Sequence, residues 1–155
     1  PRLIESTKEN TKETIDISVE VARACKRQES LFEDFGIEIL YHLDESYTLH
    51  IDRETIHRMV DHLLSNVRMH ARGVSKVHVT VDKSRGTLEV EDDGEGISEE
   101  AIDKVYSEAE ATASSGKGSG LGLSIVKRMI EHYGGSLEIE TMKPRGTKLT
   151  FFFSS

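Results

Sequence analysis

The apolar positions change their spacing several times along the chain, and each change marks an element. From Ile17 onward, Val21, Cys25, Leu31, Phe32 and Phe35 recur roughly on one helical face. Gly36 stops that helix. Ile37, Ile39 and Tyr41 then alternate with Glu38, Leu40 and His42, a strand pattern with one mismatch. Thr48 to Ile51 predicts another short strand. Asp52 is placed to cap a helix. Ile56, Met59, Val60, Leu63 and Val67 give that helix an apolar stripe running to about His70. Val77, Val79 and Val81 alternate, Lys83-Ser84-Arg85-Gly86 reads as a turn, and Leu88 and Val90 alternate again. A short helix is predicted from Ser98 to about Ser107, with Glu99 and Glu100 well placed against the positive end of its dipole. The polar stretch from Ser107 to Gly120 reads as a loop. The helix after it carries Leu121, Ile125, Met129, Ile130 and Tyr133 and ends at Gly134-Gly135. Strands 136–141 and 147–153 close the chain as a hairpin. This order predicts an α+β fold, a two-layer α/β sandwich with helices packed on one face of a mixed, mostly antiparallel sheet. Residues 1–14 are polar and read as a linker or the end of an upstream helical hairpin, leaving 15–155 as one domain.

Composition narrows the function classes. The 155 residues, 36% of them apolar, suffice for a single core. Twenty basic residues stand against 28 acidic ones, a net charge of -8. That balance argues against a general binder of nucleic acid or anionic membrane. Any anion must therefore be held by a local device. The single cysteine, Cys25, excludes an internal disulfide. No apolar run approaches the roughly 20 residues of a membrane span, and no signal-peptide pattern opens the chain. The expectation is a soluble, cytoplasmic domain. It opens on Pro1, as a piece of a longer protein would, with or without a membrane anchor in the full-length chain.

Three stretches carry candidate chemistry. Asp92-Asp93-Gly94-Glu95-Gly96-Ile97 directly follows the strand at 87–91. A carboxylate at a strand end can accept a hydrogen bond from an exocyclic amine while glycines let a flat ring approach the backbone. The same residues also suit a plain acidic turn. Gly116-Lys117-Gly118-Ser119-Gly120-Leu121-Gly122-Leu123 runs into an amphipathic helix. Glycines there expose free N–H groups at the positive end of the dipole, an anion site for which phosphate is the usual ligand. A flexible hinge is the alternative. The stretch has neither Walker A spacing nor the surrounding βαβ unit of a dinucleotide fingerprint. Asn66 lies on the helix 52–70, with His62 and His70 one turn to either side on the same face. An amide oxygen can ligate Mg2+, which needs few protein ligands when phosphates supply the rest. A solvated polar face is the plainer reading, and zinc at His62 and His70 lacks a third ligand.

The order of these pieces resembles the GHKL ATP-binding superfamily, most closely the catalytic ATP-binding domain of sensor histidine kinases. Leu63-Leu64-Ser65-Asn66 is similar to its N box, Asp92 to Ile97 to its G1 box, and Gly118 to Val126 to its G2 box. Gly134-Gly135 and Gly146-Thr147, each before a strand, match as well. The resemblance covers residues 17 to 153 and implies the Bergerat fold with ATP and Mg2+ as ligands. Asn66 would bind Mg2+ among the triphosphate oxygens, and Asp92 would recognise the adenine amine. Gly94, Gly96 and Ile97 would line the base. Gly118, Gly120, Leu121, Gly122 and Leu123 would wrap the phosphates. Lys117 would act beside the terminal phosphates, His70 would stand near the nucleotide, and Thr147 would lie close to the adenine pocket.

The sequence departs from that pattern in places. His62 stands where the family's kinases have a second Asn and the hydrolytic ATPases a Glu. Met69 replaces a usual Lys or Arg, and Arg68 points about 200° around the helix from Asn66. Tyr106 stands for the first aromatic residue before the lid, and Ala109 replaces the second. The resemblance implies a histidine kinase that transfers the γ-phosphate of Mg-ATP. The seven histidines are followed by Leu43, Ile51, Arg58, Leu63, Ala71, Val79 and Tyr133, none of them acidic. The phosphoacceptor histidine is therefore expected on a separate helical hairpin of a homodimeric full-length protein, with a response regulator downstream. The alternative is a nucleotide-sensing pseudokinase or scaffold.

Overall fold

Alternating valines build the centre of the main sheet. In a computed structural model, which describes residues 12–70, 72–111, 123–142 and 144–153, Val77, Val79 and Val81 are all buried. The elements run β1 (Lys12–Asp16), α1 (Ile17–Lys26), α2 (Glu29–Asp34), β2 (Glu38–Leu43), β3 (Thr48–Asp52), α3 (Arg53–His70), β4 (Lys76–Asp82) and β5 (Thr87–Asp92). Then come α4 (Glu99–Ala111), α5 (Leu123–His132), β6 (Ser136–Thr141) and β7 (Thr147–Phe152). The five-stranded sheet has the order β2-β4-β5-β7-β6. Only β2 and β4 pair in parallel, and the helix α3 lies in the crossover between them, as a parallel pair requires. The other three pairings are antiparallel. A separate ribbon joins β1 to β3.

The apolar stripe of α3 (Ile56, Met59, Leu63, Val67) is buried in one core with the sheet valines and with Val126 and Ile130 of α5. His78, Glu89, Glu91 and Lys148 fall on the alternate positions of their strands and are only partly buried. This is the two-layer α+β sandwich expected from the sequence, with a mixed, mostly antiparallel sheet.

Three boundaries differ from expectation. The single helix expected from Ile17 to Phe35 breaks at Arg27 and Gln28, whose amides turn back to Arg23 O and Cys25 O. The break turns α2 onto β2, where Phe32 is 0% exposed and the Tyr41 hydroxyl donates to Glu29, while Phe35 is left 57% exposed. Lys12 to Thr14, assigned to a linker, are already strand, because pairing with β3 supplies their backbone partners. Residues 1–11 lie outside the described residues. The helix expected to end at Ser107 continues to Ala111, so the expected loop from Ser107 loses its first turn; 112–122 lie outside the described residues. Leu121, expected on the next helix, lies outside the described residues, within which α5 runs from Leu123.

A polar seam crosses the α1–α3 contact. Glu20 is 3% exposed; its carboxylate accepts from His57 Nε2 (2.8 Å) and Arg23 (3.1 Å) and forms an ion pair with Arg53 (3.2 Å). Burial raises the Glu20 pKa, but the bond from His57 and the charges of Arg53 and Arg23 outweigh it, leaving a net lowering. Arg27 donates to His57 Nδ1 (2.8 Å), so that nitrogen carries no proton and Nε2–H points at Glu20.

Candidate functional site

Asn66 sits in the last turns of α3, flanked in sequence by the buried Leu63, Leu64 and Val67. Its Oδ1 is buried and has no hydrogen-bond partner among the described residues. A buried acceptor left unmade costs about 1–3 kcal/mol. Water or a ligand completes such a group in most proteins, and an amide oxygen is a hard donor suited to Mg2+. His62, one turn earlier, is half-buried. His70 ends the helix, and its side chain lies outside the described residues.

Asp92 is the last residue of β5, opposite Val77 of β4 on one side and Thr147 of β7 on the other. It is 8% exposed, and its Oδ1 accepts from the Gly94 amide (2.8 Å). Burial pushes its pKa up, partly offset by the Gly94 and Thr147 amides, with Asp93 and Glu91 adding repulsion. A carboxylate so held is an acceptor with little competing water.

The two glycines after it are required by packing. A Cβ at Gly94 would meet Val74 Cγ2 at 2.7 Å and Arg72 O at 2.9 Å. Gly96 has φ +96, in the left-handed region, and a Cβ there would lie 3.0 Å from Thr141 Cγ2 and 3.1 Å from Gly146 O. The side-chain directions at these glycines are thus filled by neighbouring loops. Ile97 is half-buried against the core, and its carbonyl accepts from the Thr141 hydroxyl. Asp92, Gly94, Gly96, Ile97 and Thr147 therefore form one cluster at the end of the sheet.

Leu123, the first described residue of α5, is a core residue, 1% exposed, so any contact it made with an anion would come from its backbone. Lys117, Gly118, Gly120, Leu121 and Gly122 lie outside the described residues. Tyr106 donates to Leu137 O (2.9 Å), which ties α4 to β6, and the Lys127 ammonium stands 5.0 Å from the centre of its ring. Burial pushes the Cys25 thiol up to about 12, consistent with an unreactive core residue.

The sequence did not reveal how the loops are braced. The Asp93 carboxylate accepts from the Ser75 amide (2.7 Å), the Lys76 amide (3.0 Å) and the Ser75 hydroxyl (2.5 Å). Partial burial raises its pKa, but these bonds outweigh it and bring it down to about 2. The sequence singled out Asp92, and no residue pattern marked the role of Asp93. A hollow of about 370 Å³ lined by Thr55, Arg58, Arg128 and Tyr133, among others, contains none of the expected site residues.

Residues 51–155 match the profile of the family described as histidine kinase-, DNA gyrase B-, and HSP90-like ATPase. The chain is 31% identical over 146 residues to the sensor histidine kinase YkoH of Bacillus subtilis (strain 168), covering 91% of this chain and 32% of that protein. It is 27% identical over 116 residues to the sensor histidine kinase WalK of the same organism, covering 70% and 19%. The chain thus spans about a third or less of these relatives. The catalytic domain of histidine kinase ThkA superposes with a TM-score of 0.73 at 23% identity, covering 90% of this chain and 93% of that one. The ATP-binding domain of PrrB from Mycobacterium tuberculosis gives 0.73 at 18% identity, covering 91% and 95%. Those two structures show a shared fold. The profile match over more than half of the chain shows membership: the chain belongs to the histidine kinase-, DNA gyrase B- and HSP90-like ATPase family, as an ATP-binding catalytic domain of the two-component sensor histidine kinase type.

Proposed function

We propose that this domain holds ATP with Mg2+ and transfers the γ-phosphoryl group to a histidine on a separate helical hairpin of the same protein. The observation that carries the metal assignment is the buried, unpartnered Oδ1 of Asn66. Mg2+ would neutralise phosphate charge. Among the described residues no three His, Cys, Asp or Glu are gathered for a metal, so phosphates and water would complete the coordination around Asn66. Asp92 would accept from the adenine amine, with Thr147 beside it in the register. Gly94, Gly96 and Ile97 would hold that pocket by close packing. Lys117, Gly118, Gly120, Leu121, Gly122 and the N-terminus of α5 at Leu123 would enclose the phosphates, with His70 nearby.

In the transfer, an imidazole nitrogen forms the P–N bond as the bond from phosphorus to the bridging oxygen breaks and ADP leaves. The domain's contribution is positioning and charge neutralisation. The proposed setting is a homodimer that passes the phosphoryl group to a response regulator, with this domain cytoplasmic. Sensor kinase relatives support that setting. No helix among the described residues is long and apolar enough to cross a membrane.

The test is γ-labelled ATP mixed with this chain and a separately supplied phosphoacceptor hairpin. Acid-labile label on the hairpin is expected, and Asp92→Asn should abolish it. ATP binding without any transfer would favour the nucleotide-sensing scaffold, a reading that His62 and Met69 support.

A further inference from the structure

Arg145 lies in the turn between β6 and β7, yet its guanidinium bonds to neither strand. Nε donates to Asp93 O (2.9 Å) and Gly94 O (3.2 Å), and Nη2 donates to Gly73 O (3.3 Å). The first two carbonyls belong to the loop leaving β5, and the third belongs to the loop leaving α3. The hairpin does not need this arrangement, since Met142 N to Gly146 O (2.8 Å) already closes it. Among the described residues no carboxylate pairs with Arg145, so its donors serve backbone carbonyls. Gly73 has φ +72, and a Cβ there would sit 2.4 Å from Nη2. A bare residue at that position keeps the carbonyl within reach.

Both anchored loops lead into the nucleotide site. Glu95 N donates to Arg72 O (3.0 Å), the same junction that Asp93 braces through Ser75 and Lys76. Gly146, next to Arg145, packs on Asp92 O, to which a Cβ at Gly146 would come within 2.5 Å. Thr147 follows, opposite Asp92. A planar fork can reach carbonyls in two directions at once, whereas a lysine ammonium on its flexible stem cannot hold both.

We infer that Arg145 is a positioning residue for nucleotide binding, a clip that sets the spacing between the metal-side helix carrying Asn66 and the adenine-side carboxylate Asp92. The inference rests on the nucleotide-site reading proposed above.

The experiment titrates Mg-ATP and ADP into the whole 155-residue chain and into Arg145→Ala, Arg145→Lys and Asp92→Asn. Thermal melting and amide exchange at Glu95 are followed in the absence of nucleotide. Arg145→Ala should weaken both nucleotides about tenfold, the scale of one charge-assisted hydrogen bond. Its melting temperature should barely move, and Glu95 exchange should accelerate. Arg145→Lys should restore only part of the affinity. Millimolar guanidinium ion should partly rescue Arg145→Ala and leave Asp92→Asn unchanged. Wild-type affinity in folded Arg145→Ala overturns the clip alone, as does full recovery by Arg145→Lys. If Arg145→Ala fails to fold, Arg145→Lys decides, and wild-type affinity and exchange there overturn the clip. Undiminished binding by Asp92→Asn overturns the nucleotide-site reading, and the clip with it.

Discussion

Asn66 and Glu20 are both polar and both tied to the helical layer, yet they stand in opposite energetic positions. Among the described residues the Asn66 amide oxygen has no partner to lose, so Asn66→Ala should leave the melting temperature unchanged or slightly raised, as is common when a site residue is removed. The same variant should lose ATP affinity mainly when Mg2+ is present. Calorimetry with and without Mg2+ checks this, and an equal loss in both conditions would count against a metal role. Glu20 has two donors, His57 and Arg23, and an ion pair with Arg53, all at 3.2 Å or less. Glu20→Ala leaves His57 Nε2–H without its acceptor and should cost about 2 kcal/mol, less than a fully buried pair because both arginines can rehydrate. That corresponds to a melting temperature about 4–8 °C lower, with nucleotide affinity retained. The Asn66 motif was legible in the sequence because its chemistry is local. Glu20 was not, because its value depends on Arg53 and His57 of another helix.

At the scale of elements, the α3 stripe was read correctly since the 3.6-residue period belongs to the helix itself. The strands β4 to β7 were equally clear from their period-two alternation. The α1–α2 break was hidden because Val21, Cys25 and Phe32 stay in phase on one continuous helix, and only packing onto β2 turns the chain. The ribbon strand β1 has few apolar positions and exists by pairing with β3. The Asp93 brace between the loops after α3 and β5 predicts a pH response. Its folded pKa of about 2 lies below the ordinary 3.8, so its stabilisation is complete above the ordinary value and is lost as pH falls from about 4 towards 2. Glu20, also lowered, acts in the same direction. Denaturant unfolding should therefore show Asp93→Asn less stable than wild type at pH 7, with the difference shrinking below pH 4. A constant difference down to pH 2 would count against the brace.

For the whole molecule, the decisive prediction concerns phosphorylation of the chain by itself. His62 and His70 share α3 with Asn66 and so, in the proposed function, would belong to the side that holds the nucleotide. In-line transfer needs an imidazole about 3–3.5 Å from phosphorus on the face opposite the leaving oxygen. The chain incubated alone with Mg-ATP should bind nucleotide and yield no phosphohistidine by mass spectrometry, while an added hairpin should acquire acid-labile phosphate. Stable phosphohistidine on the isolated chain would place the acceptor within it.

The amino-acid sequence by itself determined the element periods, the α+β class, and the order of Asn66, Asp92 to Ile97 and the glycine stretch into α5. It could do so because each is a local pattern of residue types along a few turns or one strand. Tertiary structure alone decided that Asp93 braces a loop. It also decided that α1 and α2 separate and that β1 pairs at all. The Arg145 bonds show the reason most plainly. Arg145 and Gly73 are 72 positions apart, and the acceptors are backbone carbonyls, which every residue carries and no sequence pattern marks.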